Sequence, residues 1–200
     1  QKIDTAQWGP DTKFYNNRSR VENDFLTYFI SAGHTSRDYV TLIEAFRKMD
    51  YQLKIFCTPK SKPLIKELPP NVTINSTVIP YSELLKFYQE SIAILIPLKY
   101  PEIQEGCQGM TSLQDVVALG KPTIITENPL INIDAEKEGF GKVVGKGDVQ
   151  GWVDAVELLV KDKDAFHQMS ERSLYVYKKK FNSELFAEKL EKAIFKIWLR

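Results

Sequence analysis

Cysteine and histidine are scarce, with two of each among 200 residues. Cys57 and Cys107 stand far apart with no CxxC spacing. That excludes a disulfide scaffold and fits a reducing compartment, so a cytoplasmic location is expected. His34 and His167 are too far apart in sequence to suggest a protein-held metal centre. Charge of one sign is lacking too, since 27 basic residues face 26 acidic ones for a net charge of +1. No basic stripe interleaved with aromatics occurs, and nucleic acid is therefore not an expected partner. The longest apolar run, IAILIPL at 92–98, is far too short to cross a bilayer. A secretory pattern is absent, so the Asn-x-Ser/Thr triplets at Asn17, Asn71 and Asn75 read as chance matches.

Several phosphate and nucleophile motifs are missing as well. No GxGxxG follows the first apolar run, no GxxxxGK[ST] occurs, and there is no GxSxG elbow. The segment closing that first run, SAGHTS, has none of the acids a phospho-accepting receiver would carry.

What is present is enough to build a core: 43% of the residues are hydrophobic and 26% charged. Residues 1–26 are mostly polar and aperiodic, and are expected to be a polar linker or the start of the domain. They begin at Gln1 with neither an initiator Met nor a targeting pattern, which fits a piece of a longer chain. Residues 27–200 are expected to form one domain.

Within that domain short apolar runs alternate with amphipathic segments. LTYFISAG, YQLKIFC, NVTINS, IAILIPL and KPTIIT read as strands, with GKVVG as an edge strand. Between them Tyr39, Leu42, Ile43 and Phe46 share one helical face, KPLIKEL reads as a weak short helix, and YSELLKFYQES as a firmer one. Towards the end, Trp152, Val156 and Leu159 form one stripe, and Phe186, Leu190, Ile194 and Ile197 another, which stays apolar to Trp198 and Leu199. Strands apolar on both faces alternating with helices predict an α/β fold, a doubly wound parallel sheet built from right-handed βαβ units.

In such a sheet the ligand crevice lies outside the carboxyl ends of the strands. The loops at 33–37, 58–60, 76–81 and 99–111 fall on that edge, whereas Lys121 falls on the opposite one. Thr111-Ser112-Leu113-Gln114 matches a capping box, so a helix is expected to start at Thr111, with Gly109 allowing a close backbone approach. The free amides and positive dipole end of that helix would suit an anion. Arg37 and the backbone around Gly33 and His34 would join a phosphate there, and Asp115 could accept from a vicinal diol such as ribose. Phosphate amides beside a diol acceptor suggest a nucleotide. Plainer readings stand beside these: Asp115 as a complement to the helix dipole, Arg37 as a solvated residue or a partner of Asp38, His34 as a loop histidine, and the glycines as turn residues.

Four blocks then carry a resemblance: FISAGHTSRDYVTLIEAFRKM, IPYSELLKFYQESIAILIPL, GMTSLQDVVALGKPTIIT, and the tail running from DVQGWVDAVELLVKD to FNSELFAEKLEKAIFKIW. In this order and spacing they resemble the carboxy-terminal domain of GT-B glycosyltransferases of the group 1, GT4-like type, from about Tyr28 onward. The resemblance implies a Rossmann-like half of a GT-B architecture that binds a nucleotide-sugar donor, a UDP-sugar rather than a GDP-sugar. The acceptor would bind a separate amino-terminal domain absent from this chain, through which any peripheral membrane contact would run. The implied reaction is hexosyl transfer to a glycan or lipid-linked acceptor, as in polysaccharide biosynthesis, with retention of configuration. No metal or other cofactor is expected, because basic side chains and a helix amino terminus would stabilise the donor diphosphate.

Residue by residue, Arg37 falls where the family keeps a diphosphate-binding base, and Gly33 with His34 where it usually has Gly-Arg. The amides of Gly33, Gly109, Met110 and Thr111 would complete the diphosphate site, and Ile79 and Tyr81 would meet the base. The family commonly has two glutamates eight positions apart. The later position, which holds the ribose, is Asp115 here; the earlier, beside the donor sugar, is Cys107, which cannot replace it. Glu105 is the nearby acid that could act as the catalytic substitute. Alone, this fragment is expected to transfer nothing. The departures at Cys107 and His34 keep a second expectation open, a non-catalytic GT-B-like module that docks a partner through its last helix.

Overall fold

The structure is a computed structural model that describes residues 6–15, 27–99, 106 and 108–198. Glu105, Cys107 and Asn17 lie outside the described residues. Six parallel strands form one sheet: β1 (Tyr28–Ala32), β2 (Gln52–Phe56), β3 (Val72–Asn75), β4 (Ile94–Ile96), β5 (Thr123–Thr126) and β6 (Gly141–Val144). Their order is β3-β2-β1-β4-β5-β6. The chain thus runs outward from β1 on one side, then returns and runs outward from β4 on the other. The expected doubly wound α/β fold is present, with GKVVG at an edge, and its topological switch lies between β1 and β4.

The central strands β1, β4 and β5 are buried at every residue because both sides of the sheet are covered. All five residues of β1 are buried. Phe29 joins a cluster with Leu42, Ile43 and Phe46 of α2 (Tyr39–Phe46) and Trp152, Val156 and Leu159 of α5 (Val149–Lys161). Tyr28, Ile30 and Ala32 face the other way, into a cluster with Leu85 and Tyr88 of α3 (Tyr81–Glu90), Val116 and Val117 of α4 (Met110–Leu119), and Val176 and Tyr177 of α6 (Lys163–Lys179). Each such side chain contributes on the order of 1.5–3 kcal/mol by leaving water. The two apolar faces are what hold the sheet between its helices.

Two further helices complete the described chain, the single turn α1 (Thr12–Tyr15) and the terminal α7 (Ser183–Trp198). Pro10 O accepts from Ser183 N (2.9 Å) and Thr12 Oγ1 donates to Glu184 (2.9 Å), so the start of the chain is tied to the start of α7. Leu190, Ile194, Phe195 and Trp198 of α7 are exposed.

One expected element is not formed. KPLIKEL at 62–68 is irregular, with Leu64 98% exposed. A helix that short needs a buried face to offset its nucleation cost, and this segment covers too little core to supply one.

Candidate functional site

The loops that leave β1 and β4 meet at the switch point. Asp38 N donates to Pro97 O (3.1 Å) and Lys99 N to Ser36 O (2.8 Å), an antiparallel bridge that fixes the turn at 33–37 against the end of β4. Gly33 has φ +143° and is held at both ends: its N–H donates to Phe56 O (3.1 Å) and its carbonyl accepts from the Tyr39 hydroxyl (2.6 Å). The Gly33 amide, expected to face a phosphate, is therefore already donated within the sheet edge. His34 is exposed beside it.

Arg37 is 8% exposed. Its guanidinium donates to Ser112 Oγ at 2.9 Å, and at 3.4 Å to Ala32 O and Thr35 O. Among the described residues no carboxylate lies within ion-pair distance of it. Asp38 caps α2 instead, accepting from Thr41 N and Thr41 Oγ1. The plainer reading of Arg37 as a solvated residue or a partner of Asp38 is thus corrected. Burial lowers its affinity for the proton. A buried cation without an acid costs several kcal/mol, which an anionic ligand would offset.

Ser112 lies in the first turn of α4, so the cation sits against that helix's amino end. The helix begins one residue earlier than the capping-box reading placed it. Gly109, at φ +89°, is the N-cap, and among the described residues no side chain caps the helix. Thr111 is exposed, and Ser112 is engaged by Arg37 instead. Leu113 N donates to Gly109 O (3.0 Å) and opens the helical ladder, so the amides of Met110, Thr111 and Ser112 precede it. They carry the positive end of the helix dipole.

Asp115, one turn further on, is 5% exposed and part of the same wall. Its Oδ1 accepts from the Tyr15 hydroxyl (2.5 Å) and from the Tyr81 hydroxyl, and the two phenol oxygens lie 2.7 Å apart. Burial first, then the neighbouring Asp115, pushes the Tyr15 phenol well above its ordinary range. Tyr81 opens α3 and stacks on Phe14 (centroids 6.0 Å apart, planes 17° apart). Ile79, just before it, is half-buried against the core.

The fold thus brings Gly33, His34, Arg37, Gly109, Met110, Thr111, Tyr81 and Asp115 to one sheet edge. Lys121 lies at the amino end of β5, where its Nζ donates to Ser91 O (2.7 Å), the opposite edge as expected. Among the described residues no group of three or more His, Cys, Asp or Glu could hold a metal ion. Sequence reasoning missed two participants. Ser112 was legible only as part of a capping motif, and Tyr15 lies in the aperiodic polar start, with no local signal to single it out.

Several solved structures that share this fold are glycosyltransferases. A glycosyltransferase from Rickettsia africae ESF-5 superposes with a TM-score of 0.73 at 14% identity, over 96% of this chain and 56% of that one. The C-terminal domain of a group 1 family glycosyl transferase, LpcC from Francisella tularensis, gives 0.66 at 15% identity, over 87% of this chain and 99% of that domain. Sucrose-phosphate synthase from Thermosynechococcus elongatus gives 0.66 at 14%, over 96% and 50%. The chain spans about half the length of the first and third of these proteins. No protein-family profile and no curated protein sequence matches this one significantly. The chain has the Rossmann-like fold of the carboxy-terminal domain of GT-B glycosyltransferases, as the order of its sequence blocks led us to expect.

Proposed function

We propose that this chain is the donor-binding half of a glycosyltransferase, and that the crevice between β1 and β4 takes a nucleoside diphosphate sugar. The observation that carries the reading is the buried guanidinium of Arg37, which has no carboxylate partner among the described residues and sits against the first turn of α4 through Ser112. A fixed cation, a helix amino end and a water-poor floor favour the charge that grows on a diphosphate leaving group. They do so with no metal needed, and they cost no reorganisation during transfer. Asp115 is the acceptor for the ribose diol, and Ile79 and Tyr81 would meet the base.

On this reading the finer expectations hold together: a UDP-sugar donor, hexosyl transfer with retention, and a glycan or lipid-linked acceptor on a second domain. The fragment alone binds nucleotide without transferring sugar. The exposed apolar residues of α7 suit a surface covered by that second domain.

Calorimetric titration of this chain with UDP, GDP and ADP tests the proposal. One of them binds, and Arg37→Gln weakens it at least tenfold, roughly the loss of one charge-assisted contact. Asp115→Asn weakens it too. Absence of binding by all three, in the wild type and in Tyr15→Phe alike and with the circular dichroism of the folded chain intact, removes the reading.

A further inference from the structure

The acid assigned to the ribose is already satisfied by the protein. Tyr15 and Tyr81 both donate to Asp115 Oδ1, and their oxygens, 2.7 Å apart, are separated much as neighbouring hydroxyls on a sugar ring are. The two phenols thus stand where a diol would stand. Tyr81 belongs to α3 and is part of the crevice wall. Tyr15 is not: it arrives from residues 6–15, whose ties lie elsewhere. Thr12 donates through its N–H to Ser183 Oγ (3.1 Å) and through Oγ1 to Glu184 (2.9 Å), and Pro10 O accepts from Ser183 N (2.9 Å). Gly9 packs so closely that a Cβ there would lie 2.6 Å from Asn182 N. This segment therefore touches the crevice at one end and the root of α7 at the other.

We propose that residues 9–15 form a latch, in which Tyr15 occupies the diol position on Asp115 and must withdraw before a ligand's vicinal hydroxyls can bind there. The inference rests on the donor-site reading. Because the same segment is hydrogen-bonded to the start of α7, movement of that helix and opening of the crevice are coupled. Phe14, stacked on Tyr81, adds a second closure on the same side. When Tyr15 leaves, Asp115 keeps one phenol and regains room for the ligand's hydroxyls, so the exchange conserves its hydrogen bonding. Closure of this kind lowers apparent affinity by the fraction of molecules that are open.

The test combines amide hydrogen exchange with titration, using wild type, Tyr15→Phe and Thr12→Val. Tyr15→Phe keeps the ring and removes only the hydroxyl. Without nucleotide, exchange over 9–15 rises in both variants. With nucleotide, Tyr15→Phe binds about tenfold tighter than wild type, and ligand speeds exchange over 9–15 in the wild type. Unchanged exchange in Tyr15→Phe overturns the latch, whatever the nucleotides do. Faster exchange with equal or weaker nucleotide affinity overturns the occlusion while leaving the donor site standing. If wild type and both variants all fail to bind UDP, GDP and ADP, the donor-site reading falls, and the guarded diol site with it.

Discussion

Replacing Gly33 by alanine would test the arrangement around Arg37 directly. A Cβ on Gly33 would lie 2.6 Å from Arg37 Nε, 2.7 Å from Nη2 and 2.8 Å from Cζ, inside any tolerable contact. The end of an arginine is usually free to move aside, which would make the clash cheap. Here it is buried and bonded to Ser112 Oγ, Ala32 O and Thr35 O, so moving it breaks those contacts. The bond to Ser112, at 2.9 Å, is the strong one, and its loss costs about 1.5–3 kcal/mol. The backbone at φ +143° adds about 1 kcal/mol of strain for any residue with a Cβ. Gly33→Ala should therefore destabilise the chain by about 2.5–4 kcal/mol and weaken nucleotide binding together with it. A double-mutant cycle in urea separates the two contributions. In an Arg37→Met background the clash partner is shortened, so Gly33→Ala should cost only the strain, and the coupling should be about 1.5–3 kcal/mol. Additive effects, or a single-mutant loss below about 0.5 kcal/mol, would refute the claim that the guanidinium is held in place.

Asn71 Nδ2 donates to Phe46 O (2.9 Å), Met49 O (2.8 Å) and Tyr51 O (2.9 Å), which closes the connection from α2 to β2. Asn71→Ala leaves carbonyls in a buried place unmatched and should cost about 2–4 kcal/mol in urea unfolding; a change near zero would mean that water replaces the amide. The phenols of Tyr15, Tyr28, Tyr39 and Tyr88 are raised above their ordinary value, chiefly by burial. Their protonated forms are favoured in the folded chain, so their contribution is complete below the ordinary tyrosine value of about pH 10 and is lost as pH rises above it. The urea midpoint should hold level from about pH 8 to about pH 9.5 and fall above about pH 10, less steeply in Tyr39→Phe; a profile that stays flat above about pH 10 would contradict the burial argument.

The layered fold was legible in the sequence because each strand and helix carries its own period. IAILIPL could only be a strand covered on both faces, and it forms β4 at the centre of the sheet. The stripe of Trp152, Val156 and Leu159 is buried as its spacing required. KPLIKEL misled because helical composition over a few residues says nothing about whether a core waits beneath it, and Leu64 shows that little does. For the candidate site, strand polarity alone determined which edge would face a ligand, and that edge gathers Arg37, Gly109 and Asp115. What only the tertiary structure decided is who their partners are. Arg37 turns away from neighbouring Asp38 to Ser112, 75 residues on, because the bridge between the β1 and β4 loops aims it at the start of α4. Tyr15 reaches Asp115 across 100 residues, because α7 anchors the polar start of the chain beside the crevice. Periodicity is a local property and survives in one dimension, whereas the partner of a buried polar group is set by which loops the sheet brings together, and no spacing in the sequence records that.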